Sequence, residues 1–136
     1  MEHVNWAALR EEAGSAAGRA YAPYSRLRVG AAALVDDGEI ITGCNVENAS
    51  YGLSLCAECG LVSSLYDSGG GRLIAIAIVD SDGSILMPCG RCRQLLLEAG
   101  GADLAVDSED GPRRLDSLLP DAFSADDLGD QSGQPG

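Results

Sequence analysis

Apolar positions along this chain change period several times, and each change marks a predicted element. Leu9, Ala13, Ala16, Ala17 and Ala20 recur at helical spacing, which predicts an amphipathic helix over about residues 5–20. "YAPYS" (Tyr21 to Ser25) breaks it. Leu27, Val29, Ala31, Ala33 and Val35 then alternate, as a half-buried strand does. Asp37-Gly38 is a hairpin turn signal, and "EIITGCNV" (39–46) predicts the returning strand. "ENASYG" has the composition of a loop. A helix is expected from Cys56 to Tyr66, weakened by Gly60. "RLIAIAIVD" is almost continuously apolar, as a strand covered on both faces should be. "GRCRQLLLEA" reads as a helix stopped by Gly100-Gly101, and "ADLAVD" as a further strand. Strands alternating with helices of this length predict an α/β layered domain with a partly parallel sheet. The domain is expected over 1–128. The polar, Gly-rich 129–136, "GDQSGQPG", is expected to be a disordered tail.

Composition narrows the partners. A chain of 136 residues suits one ordinary domain. Its 46% hydrophobic content allows a core, but much of it is Ala and aromatics are only 4%, so the single Phe, Phe123, is worth following. The net charge is -12, and no run of Lys and Arg could track a phosphate backbone. The expected partner is therefore small, and nucleic acid is excluded. No stretch approaches the ~20 apolar residues of a membrane span, so no membrane partner is expected. No basic then apolar segment at the N-terminus marks export, which points to the cytoplasm. Five cysteines is an odd number, and CxxC spacing in such a chain favours metal or redox chemistry over disulfides.

Those pairs are "CAEC" (Cys56, Cys59) and "PCGRC" (Cys89, Cys92), each near the start of a predicted helix. Pro88 suits a helix start, where its missing N–H costs nothing. The positive end of a helix dipole favours the thiolates that a metal needs. His3 is the only histidine and lies in an N-terminal extension, so a zinc site here must be built mainly from cysteine. Spacing leaves two arrangements open. Four thiolates give a closed structural site; three give an open position beside Glu58. The long separation of the pairs and the complete look of the surrounding domain speak against a closed staple.

"CAE" followed by "PCGRCRQ" resembles the zinc nucleoside deaminases. "NVENASYG" (Asn45 to Gly52), and "YAPYS" ahead of "VGAAAL", narrow the resemblance to cytidine deaminases of the small homotetrameric type, over about Tyr21 to Leu128. The resemblance implies a three-layer α-β-α fold with a mixed central sheet. It makes Cys56, Cys89 and Cys92 the zinc ligands and Glu58 the catalytic carboxylate. Three protein ligands leave room for water, whose pKa zinc can lower to about 7. Glu58 is implied to take the water proton and protonate ring nitrogen 3 of cytosine, with attack at ring carbon 4 and loss of ammonia. Asn45 and Glu47 are implied to hold the ribose hydroxyls, and backbone near Ala57 to read the cytosine amide edge. "LLPDAF" implies that Phe123 stacks on the base in a neighbouring subunit's site. The implied activity is deamination of cytidine and 2'-deoxycytidine to uridine and 2'-deoxyuridine, in pyrimidine salvage.

The chain departs from the family pattern at two places. Many relatives have Arg where this chain has Cys59, and Phe where it has Leu27. The first change takes a positive charge away from a three-thiolate site, and Arg91 or Arg93 in "PCGRCR" could restore it. The second removes one aromatic wall for the base. Cys44 is expected to be a small buried apolar residue. Two other readings compete: a deaminase of a different amino-heterocycle, against which "NVENASYG" speaks, and a four-cysteine zinc module that binds a protein.

Overall fold

Small side chains set the spacing of the layers. The computed structural model describes residues 3–129, so the tail expected over 129–136 lies, apart from Gly129, outside the described residues. Helix α1 (Trp6–Ala17) starts at Asn5, whose side chain accepts from the Ala8 N–H at 3.1 Å. It ends at Gly18, short of the expected Ala20, because the chain there leaves the helix to bridge Tyr21 to Val46. Strands β1 (Val29–Val35) and β2 (Ile40–Cys44) form the expected hairpin, with Gly38 at φ 92° in its turn. Helix α2 (Ala57–Asp67), strand β3 (Leu73–Asp80) and helix α3 (Gly90–Gly100) follow, then β4 (Ala105–Val106), β5 (Arg113–Arg114) and a short α4 (Leu115–Leu118). The sheet order is β2-β1-β3-β4-β5, with β3 and β4 parallel and the other neighbours antiparallel. The sheet is mixed, as expected.

Alternation along β1 and β3 supplies two apolar faces. Ala32, Ala75, Ala77 and Val79 pack with Leu9 and Ala13 of α1 on one side. Ala31, Ala33, Ile76 and Ile78 pack with Leu61, Leu65 and Leu96 of α2 and α3 on the other. The result is three layers, α-β-α. Two glycines allow backbone to meet backbone. A Cβ at Gly30 would lie 1.9 Å from the Ala13 carbonyl oxygen, and one at Gly43 would lie 2.4 Å from that of Ala57. Any side chain at Gly43 would push the first turn of α2 off the sheet, and that turn carries the candidate chemistry.

Asp107 follows β4 with a fully buried carboxylate, bonded to Arg10 Nε and Nη2 at 2.6 and 3.0 Å. A buried charge persists only when paired and hydrogen-bonded, and this pair ties α1 to the sheet. The sequence gives no period to β5: Arg113 and Arg114 are both exposed and form a strand only by pairing with β4. Cys44 is half-buried rather than buried, because β2 is the edge strand. Among the described residues no helix is long and apolar enough to cross a membrane.

Candidate active site

Two helices begin at cysteines. Cys56 is the N-cap of α2 and Cys89 that of α3, both with extended backbone, and neither sulfur caps its own helix. Both are left for tertiary partners, and they lie 3.9 Å apart. Cys92, buried in the first turn of α3, completes a group whose three sulfurs lie within 4.8 Å of one another. Sulfurs held tetrahedrally about 2.3 Å from one zinc would sit about 3.8 Å apart, so the donor set fits that ion. Burial pushes the Cys92 thiol far up, and the neighbouring Glu58 and Cys56 push it the same way. Burial also raises Cys56. At Cys89 burial acts upward too, but the backbone N–H of Cys92 and the adjacent thiols outweigh it and the net shift is downward. Thiols packed this closely beside a carboxylate ionise together only around a cation.

Cys59 stands outside the group. Its sulfur accepts a hydrogen bond from Arg91 Nη2 at 3.2 Å. That bond, then the charges of Cys59, Cys56 and Cys92, raises the Arg91 guanidinium above its ordinary range. Arg93 is committed elsewhere: it donates to the carbonyls of Pro88 at 2.7 Å and Leu118 at 2.8 Å. Of the two arginines, Arg91 is therefore the one beside the sulfur cluster.

Glu58, one residue before Cys59, is only 4% exposed. Burial lifts its carboxyl above the usual carboxylate range, against hydrogen bonds to its own backbone N–H and the Cys92 side chain. It lines a cavity of about 320 Å³ together with Cys56, Ala57, Cys89, Asn45 and Glu47. That volume suits a small ligand. Leu27, Val29, Ile78 and Leu86 supply apolar walls. Asn45 Oδ1 accepts from the Val29 N–H and its Nδ2 donates to the Leu27 carbonyl, both at 2.8 Å. One amide N–H of Asn45 is left for a ligand. Glu47 Oε1 accepts from the N–H groups of Tyr24 and Ser25 at 3.0 and 3.1 Å, and Oε2 accepts from the Ser25 hydroxyl. The Ser25 hydroxyl, then the Ser25 and Tyr24 N–H groups, hold the Glu47 carboxyl below its ordinary range against a smaller upward push from burial.

Residues 5–107 match the family described as the cytidine and deoxycytidylate deaminase zinc-binding region. The chain belongs to the cytidine deaminase family. Zinc is its cofactor, in keeping with the three-sulfur group. It is 64% identical over 128 residues to the cytidine deaminase of Mycobacterium tuberculosis, covering 94% of this chain and 96% of that one. The Halalkalibacterium halodurans cytidine deaminase is 42% identical over 127 residues, covering 90% and 96%. The crystal structure of the M. tuberculosis protein superposes with a TM-score of 0.88, covering 89% of this chain and 98% of that one. That of the Mycobacterium leprae cytidine deaminase gives 0.84 at 56% identity, covering 86% and 98%.

Within a single chain of this deaminase, Phe123 does not line the cavity. Its side chain is 60% exposed, and its carbonyl accepts from Gln94 Nε2 at 2.7 Å. Sequence reasoning missed Ser25, Leu86 and Met87, which line the cavity. Ser25 stands in "YAPYS", read as a helix breaker and as part of the family resemblance with no role given to the serine; a serine in a turn readily hydrogen-bonds nearby groups, and that signal was available. Leu86 and Met87 fall in an irregular stretch between β3 and α3, where no period marks which side chain points inward.

Proposed function

We propose that this deaminase hydrolyses cytidine and 2'-deoxycytidine to uridine and 2'-deoxyuridine, releasing ammonia, and serves pyrimidine salvage. The observation that carries the reading is Glu58, buried and lining a cavity with Cys56 and Cys89 of the three-sulfur group and with Asn45 and Glu47. Cys56, Cys89 and Cys92 hold the zinc. Bound there, it would supply the Lewis acidity that lowers the pKa of water to about 7. Glu58 accepts a proton from the attacking water and delivers it to ring nitrogen 3. Oxygen adds at ring carbon 4, Glu58 carries the second water proton to the exocyclic nitrogen, and the bond from that nitrogen to carbon 4 breaks to free ammonia as the carbonyl forms. The Ala57 N–H, in the first turn of α2 and without an intrahelical acceptor, faces the amide edge of the base. Asn45 donates to a ribose hydroxyl and Glu47 accepts from it.

The cavity lining favours a nucleoside over a nucleotide. It contains the Glu47 carboxylate and no Arg or Lys, so a phosphate would meet repulsion with no counter-charge. The enzyme is proposed to work as a homotetramer with shared sites. Tyr51, Leu53 and Phe123 are 76%, 65% and 60% exposed, large apolar side chains that partner subunits would cover. A fully active monomer in solution would overturn that part. The central test follows cytidine absorbance on adding zinc-loaded protein. The expected result is one uridine and one ammonia per cytidine lost, with cytidine monophosphate turned over poorly. A zinc-loaded protein that leaves cytidine intact would refute the reading.

A further inference from the structure

Segment 21–27 is stitched to segment 45–47 by more bonds than a turn needs. In the backbone, Tyr21 N–H donates to the Asn45 carbonyl at 3.0 Å and Glu47 N–H to the Tyr21 carbonyl at 2.8 Å. In the side chains, Glu47 Oε1 is filled by the N–H groups of Tyr24 and Ser25. Ser25 Oγ donates to Glu47 Oε2 and itself accepts from the Leu27 N–H at 3.0 Å. The next residue, Arg26, is held at φ 64°, a left-handed conformation unfavourable for a side chain of this kind. The strained turn aims two successive N–H groups and one hydroxyl at a single carboxylate. A carboxylate has about four acceptor positions, and three of Glu47's are taken. The fourth is on Oε2, in a residue that lines the cavity.

We propose that Ser25 is a positioning residue for the sugar, fixing Glu47 Oε2 so that its one remaining lone pair takes a hydroxyl donor on the ligand. This rests on the reading of Glu47 as the ribose-side carboxylate. Without the Ser25 hydroxyl, Oε2 loses its only partner among the described residues. Oε1 stays held by two N–H groups while Oε2 is free to pivot about it, and the ligand hydroxyl loses a fixed acceptor. The effect should be confined to ligands that carry the hydroxyl.

The test is equilibrium binding of uridine and 3'-deoxyuridine to the zinc-loaded protein and to its Ser25→Ala, Glu47→Ala and double variants. Ser25→Ala should weaken uridine about tenfold, the low end for a hydrogen bond to a charged group, and leave 3'-deoxyuridine unchanged. In the Glu47→Ala background it should add nothing. With cytidine, the loss should fall on KM rather than kcat, and Ser25→Thr, which keeps the hydroxyl, should restore it. Ser25→Cys, with a weaker donor, should give a smaller loss of the same selectivity and serves if the alanine variant does not fold. Equal weakening of both ligands, or an undiminished effect without Glu47, would overturn the proposal. Glu47→Ala alone separates it from the reading beneath it. If Glu47→Ala weakens uridine and 3'-deoxyuridine equally, the ribose role of Glu47 falls; if it weakens uridine alone while Ser25→Ala weakens both equally or neither, only the role of Ser25 falls.

Discussion

"CAEC" and "PCGRC" share a spacing and a local structure but turn different faces inward. Each begins with a cysteine as N-cap and places its second cysteine at the third helical position. On α3 that third position, Cys92, is buried in the sulfur group, and the second, Arg91, is exposed. On α2 the second position, Glu58, is buried, and the third, Cys59, is turned outward to Arg91. Successive residues on a helix lie about 100° apart, so the two helices differ by roughly one residue in the face they turn inward. The difference makes one motif supply two sulfurs and the other one sulfur and a carboxylate. It is also what would leave an open metal position beside an acid.

Metal content is the sharpest way to break this comparison. Cys56→Ala, Cys89→Ala and Cys92→Ala should each lose most of the single zinc per chain, measured by elemental analysis, while Cys59→Ala should keep it. Equal loss in all four would mean that the motifs are equivalent and the site closed. Glu58→Gln comes next. It should fold and hold zinc yet lose turnover by about 10²–10⁴-fold, the usual contribution of a positioned acid or base. A variant retaining more than about a tenth of wild-type activity would remove Glu58 from that role.

The smallest effect concerns the charge between the helices. Zinc with three thiolates is formally minus one, and Arg91 is the guanidinium beside it. Arg91→Ala should speed zinc loss to a chelator a few-fold. In a Cys59→Arg background the same change should matter less, because the charge is restored from α2. A double-mutant cycle on chelation rates measures that coupling, and additive effects would show that Arg91 does not serve the metal site.

The chain's own pattern determined most of the scaffold. The 3.6-residue period of α1, the alternation in β1 and the unbroken apolar run of β3 report burial that each segment must find, whatever its neighbours. The paired cysteines were legible as metal candidates from type and spacing, whereas Glu58, Asn45 and Glu47 were singled out by the family resemblance, and all three line one cavity. Of the short elements, β4 was legible in "ADLAVD", but β5 and α4 were not: they are held by neighbours and contain too few residues to show a period. Tertiary structure alone decided which of four equivalent cysteines meet. Helix rotation about its axis is set by how α2 settles on Gly43 and how Arg93 ties the start of α3 to the Leu118 carbonyl, contacts far apart in sequence. It also decided that Glu47 is clasped by Ser25, 22 residues earlier, because a carboxylate takes whatever donors the fold brings to it. Spacing within a motif fixes the order of side chains along a helix; only packing fixes which way the helix faces.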